Sequence, residues 1–88
     1  MLKDFEEEIL LQLYDNGLIG MKYCSTQKAA DIIKWQEIAK KYKVKKGFSS
    51  VLRKLASKGY VDFHGKSEDV ISLSRIGVNY ITGKRQAK

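Results

Sequence analysis

The sequence predicts a small α+β domain, mainly helical, with one β-hairpin. Phe48, Val51, Leu52 and Leu55 recur at helical spacing and form a single apolar stripe. Just past Gly59 the apolar period changes from 3.6 to 2. Tyr60-Val61-Asp62-Phe63-His64 and Val70-Ile71-Ser72-Leu73-Ser74 both alternate as half-buried strands do. The polar stretch Gly65-Lys66-Ser67-Glu68-Asp69 between them suits a hairpin loop. The expected architecture is a three-helix core, a hairpin over its open edge and a C-terminal helix, in one domain over residues 1–88.

The 88 residues suffice for one domain, close to the size below which cores become marginal. The longest apolar run, Ile9-Leu10-Leu11, is far short of the roughly 20 residues a membrane span needs. A single cysteine, Cys24, forms no internal disulfide and suits the reducing cytosol, so a cytoplasmic protein is expected. With His64 as the sole histidine, no ligand set for a structural zinc exists. The net charge of +7 is unevenly placed. Residues 1–31 carry three Lys against six acidic residues, and residues 32–88 carry fourteen Lys or Arg against four. A basic C-terminal two-thirds suits a polyanion partner, although lysine-rich surfaces also serve solubility.

The first helix is expected from Lys3 to Tyr14, with Leu2, Phe5, Ile9 and Leu13 on one face. Glu6, Glu7 and Glu8 suit its positive N-terminal end, and Asp15-Asn16-Gly17 is a stop signal. Leu11 points off that stripe; either another helix covers it or it belongs to a subunit interface. Over residues 18–34 two readings stand. Ser25-Thr26 cap a helix through Ala29, Ala30, Ile32 and Ile33, or Ile32-Ile33-Lys34 forms a short edge strand.

The next helix places Trp35, Ile38, Ala39 and Tyr42 on one side and Glu37, Lys40, Lys41 and Lys43 on the other. Trp35 is read as core. Lys45-Lys46-Gly47 turns into the third helix, residues 48–58, whose outer side carries Ser49, Ser50, Arg53 and Lys54. Gly59 suits its C-terminal stop. After the hairpin, Ser74 caps a helix over Arg75–Thr82, in which Gly77 allows close approach of another helix. A basic, frayed tail over residues 83–88 follows.

Three segments carry a family resemblance. Glu37-Ile38-Ala39-Lys40-Lys41-Tyr42-Lys43-Val44 looks like the first helix of a helix-turn-helix. Val51-Leu52-Arg53-Lys54-Leu55-Ala56-Ser57-Lys58-Gly59-Tyr60-Val61 resembles the recognition helix and first wing strand of bacterial and archaeal transcription regulators. Leu73-Ser74-Arg75-Ile76-Gly77-Val78-Asn79-Tyr80-Ile81 is similar to the segment that follows their wing. Together they resemble a winged helix-turn-helix DNA-binding domain. Two departures stand out. Lys43 occupies a place where such turns often have glycine, and residues 18–34 exceed the usual connection.

The resemblance implies binding of double-stranded DNA, without catalysis or cofactor, as a small transcription regulator. Ser49, Ser50 and Arg53 are then the candidates for base edges, Arg53 able to bond two guanine acceptors. Lys45, Lys46 and Lys54 hold phosphates, and Lys40 or Lys41 touches the backbone across the groove. His64 and Lys66 belong to the 64–69 wing, on an adjacent minor groove or phosphates; the plainer reading of His64 is a hairpin-surface residue. A homodimer through the first and last helices is expected. The rivals are a winged-helix protein-interaction module and RNA binding, with Tyr60 or Phe63 stacking on bases. No paired carboxylates, nucleophile with base or Gly-rich phosphate loop points to an enzyme.

Overall fold

The first helix, α1 (Asp4–Asp15), forms where expected and buries Ile9, Leu10 and Leu13 completely. Its start is closed by Glu6, whose carboxylate accepts the Lys3 backbone N–H at 2.9 Å and is itself buried. Its end is a Schellman turn. Gly17 takes φ +74°, and Leu18 N–H donates to the Leu13 carbonyl at 3.0 Å.

The computed structural model describes residues 2–64 and 70–86. Beyond α1 it contains β1 (Cys24–Ser25), α2 (Thr26–Ile33), α3 (Trp35–Tyr42), α4 (Phe48–Ser57), β2 (Val61–His64), β3 (Val70–Leu73) and α5 (Arg75–Gln86). The result is a mixed α+β fold of five helices on a three-stranded antiparallel sheet, ordered β1-β3-β2. None of the helices among the described residues is long and apolar enough to cross a membrane.

Of the two readings of residues 18–34, the helix is correct. The Ser25 hydroxyl accepts the Lys28 N–H at 3.1 Å, and Ala29 and Ile33 are buried, so no strand forms at 32–34. A strand does form earlier, where β1 pairs Cys24 with Ile71 and Ser25 with Val70. Residues 18–20 extend this contact, with Leu73 N–H donating to the Leu18 carbonyl at 2.7 Å. The longer connection is therefore occupied by a helix and a sheet edge.

The hairpin forms as expected, pairing Val61 with Leu73, Phe63 with Ile71 and Asp62 with Ser72, but β3 does not alternate in burial, since Ser72 is as fully buried as Ile71 and Leu73. Ser74 joins it to α5 and the α4–β2 corner. Its N–H donates to the Tyr60 carbonyl, its hydroxyl donates to the Gly59 carbonyl, and the same oxygen accepts the Gly77 N–H. Trp35 is half-buried and packs on Phe48, ring centroids 5.1 Å apart, as core. Two expectations are corrected. Gly77 admits the backbone at Tyr60 and the Leu73 side chain rather than a second helix. The last helix runs on through Gly83 to Gln86, where a frayed tail was expected.

The first and last helices, expected to pair between subunits, pack on each other within the chain. The Tyr80 hydroxyl donates to the Glu7 carboxylate, and Leu11 and Val78 are partly buried against the core. Burial and the Glu7 carboxylate push the Tyr80 phenol up to about 12. Because this pKa is raised on folding, the contribution is complete below the unfolded value near 10 and disappears as pH rises through about 12. Tyr80→Phe is expected to lose about 1–2 kcal/mol at pH 7, since the bond has a charged acceptor. It should also lessen the fall in stability from pH 10 to 12, measured by urea unfolding.

Lys34 and Lys43 have left-handed backbones, φ +58° and +56°. Lys43 closes a second Schellman turn, in which Val44 N–H donates to the Ala39 carbonyl at 2.8 Å. It does so in the conformation that glycine adopts without strain. The left-handed state costs a side-chain-bearing residue about 1–2 kcal/mol, against roughly 0.5–1 kcal/mol for the extra freedom of glycine in the unfolded chain. Lys43→Gly is thus expected to stabilise the fold by about 0.5–1 kcal/mol, seen as a higher urea midpoint at unchanged slope.

Candidate nucleic-acid interface

The candidate interface is built on α4, whose two sides have opposite fates. Phe48, Val51, Leu52 and Leu55 are buried, Leu52 and Leu55 completely, which fixes the helix's rotation. Ser49, Ser50, Arg53 and Lys54 are all exposed as a consequence. The helix starts after Gly47, its N-cap, with no side-chain cap on its leading N–H groups. It ends in a Schellman turn at Gly59 (φ +87°), with Tyr60 N–H bonded to the Leu55 carbonyl at 3.0 Å.

The five-residue turn 43–47 between α3 and α4 brings more cations to this helix. A cleft of about 830 Å³ lies between the start of α1, this turn and α4. Lys45, Lys46, Ser50 and Lys54 line it, as the sequence leads one to expect of neighbours, together with Lys3 and Lys43. Val44, Val51, Phe5 and Tyr42 supply its apolar wall, and Asp4 and Glu6 its acidic groups. Lys3 and Phe5 were not foreseen as site residues. They are some forty residues away in the chain, and no local pattern announces the meeting.

The other expected site residues are placed differently. Lys40 is exposed on α3 but does not line the cleft. Lys41 is drawn toward α1: its ammonium is 3.4 Å from the Glu8 carboxylate and 5.1 Å from the centre of the Tyr42 ring. Hydrogen bonding to Tyr42 and Glu8 raises its pKa further. The Tyr42 hydroxyl also donates to Glu8, at 2.8 Å, and that bond with partial burial raises the phenol's pKa.

His64 lies on the outer face of the sheet. Its Nε2 is 2.8 Å from the Ser72 hydroxyl, and its ring stacks on Tyr23 at 4.5 Å between centroids. These local contacts fit the plainer reading, a residue of the hairpin surface. Lys66 and the rest of the 65–69 loop lie outside the described residues. Tyr60 and Phe63 are partly buried against the core, with Tyr60 edge-on to Tyr80 at 5.3 Å. Met21, Tyr23 and Ile76 are the large apolar side chains left exposed among the described residues.

No protein-family model matches the chain, and no curated protein or solved structure matches it either.

Proposed function

We propose that the chain is a winged helix-turn-helix protein that binds double-stranded DNA, in the manner of a small transcription regulator. In this reading α3 and α4 are the two helices of the motif and α4 enters the major groove. The β2–β3 hairpin is the wing. The observation that carries the reading is the exposure of Ser49, Ser50, Arg53 and Lys54 on a helix whose other side is sealed in the core. A helix held this firmly offers side chains at fixed positions, which base readout requires.

Roles divide by chemistry. Arg53 reads a guanine through two bonds, and Ser49 and Ser50 contact neighbouring bases or sugars. Lys45, Lys46 and Lys54 hold phosphates beside the uncapped start of α4, Lys40 the backbone across the groove, and Lys66 phosphates at the wing. Lys41 is left out, being engaged with Glu8. Counterion release from about five phosphate contacts gives a log–log salt slope near −4.5, so a fourfold rise in salt weakens binding roughly 500-fold. Fluorescence anisotropy on a duplex at two salt concentrations measures it. A slope flatter than about −2 is incompatible with this interface.

A further inference from the structure

We propose that the cleft between α1 and α4 is a binding site for a nucleoside polyphosphate, whose occupation competes with DNA. Its volume of about 830 Å³ lies within the roughly 300–1,000 Å³ typical of small-molecule sites. The lining divides into two chemistries. Phe5 and Tyr42 are half-buried rings 6.5 Å apart and inclined at 48°, adjoining Val44 and Val51. The Tyr42 ring is held by its hydroxyl's bond to Glu8. This wall suits a flat heteroaromatic ring.

Against it stand five lysines: Lys3, Lys43, Lys45, Lys46 and Lys54. The opposing carboxylates are Asp4 and Glu6, and Glu6 is buried on the Lys3 N–H. A surplus of three cations beside an aromatic wall fits a ligand with a ring at one end and several negative charges at the other. A simple aromatic acid satisfies only part of it. Ser50, Lys54, Lys45 and Lys46 belong both to this cleft and to the proposed DNA face, so nucleotide and duplex exclude each other. The competition rests on the DNA reading; the nucleotide site does not.

Calorimetric titration of the full chain with ATP, inorganic triphosphate and adenosine separates ring from charge. ATP is expected to bind one to one, roughly tenfold tighter than triphosphate and tighter still than adenosine, as one stacked base allows. At ten times its dissociation constant, ATP should weaken duplex binding about elevenfold. Lys3→Ala should weaken ATP and triphosphate alike, about tenfold, and leave the advantage of ATP over triphosphate unchanged. Phe5→Leu, which keeps most of the side-chain volume, should remove ATP's advantage over triphosphate while triphosphate binds as before. ATP binding no tighter than triphosphate, or insensitive to both substitutions, overturns the site. Failure of duplex binding alone, with the ATP pattern intact, removes the DNA reading and leaves the nucleotide site standing.

Discussion

Gly77→Ala is expected to cost about 3 kcal/mol or more, since among the described glycines it leaves the least room for a methyl. A Cβ there would overlap the Tyr60 carbonyl oxygen and lie 2.7 Å from the Leu73 Cδ1. Neither neighbour has room to retreat. The Tyr60 carbonyl accepts the Ser74 N–H at 3.1 Å, and Leu73 is fully buried. The helix-propensity gain of about 1 kcal/mol for Gly→Ala is outweighed by this overlap. At roughly 4–8 °C per kcal/mol for a domain of this size, the melting temperature should fall by more than about 12 °C. Gly83→Ala is the matching control. It lies in the same helix with nothing within 4 Å of a new Cβ, and should raise stability by about 0.5–1 kcal/mol. Equal and small effects at both positions would show that the α5 junction yields.

What the sequence could reveal depended on whether one segment specified its own structure. α4 was legible because its four buried residues keep one period and Gly59 supplies the left-handed stop. The hairpin was legible for the same reason, with a period of two. β1 was not: two residues have no period, and they are extended because β3 offers an edge to Cys24 and Ser25. Lys34 hid a turn, since it holds a conformation usually signalled by glycine. The exposed side of α4 and the lysines of the turn before it were legible because both are local features. The local contacts of His64 with Ser72 and Tyr23, and of Lys41 with Glu8, were not legible, because those partners lie far from them along the chain. Charge counted along a chain does not say which cations are already engaged.

That distinction sets the second large expectation. Replacing Lys45, Lys46 and Lys54 together by alanine should lower the salt slope of duplex binding from about −4.5 to about −1.8. Three lost contacts at 0.1 M salt amount to roughly 500-fold in affinity from counterion release alone. All three side chains are exposed and line one cleft beside the start of α4, so the substitutions leave the core untouched. The loss should be the same for every sequence, because phosphates carry no sequence information. Arg53→Ala should behave differently, relaxing preference between duplexes by about 1–3 kcal/mol with a slope change near 1 at most. Lys41→Ala should alter neither slope nor preference, since its ammonium is paired with Glu8 on the α1 side. A Lys41 variant that matches Lys54→Ala in slope would mean that the duplex approaches from α3, and that α4 is not the helix in the groove.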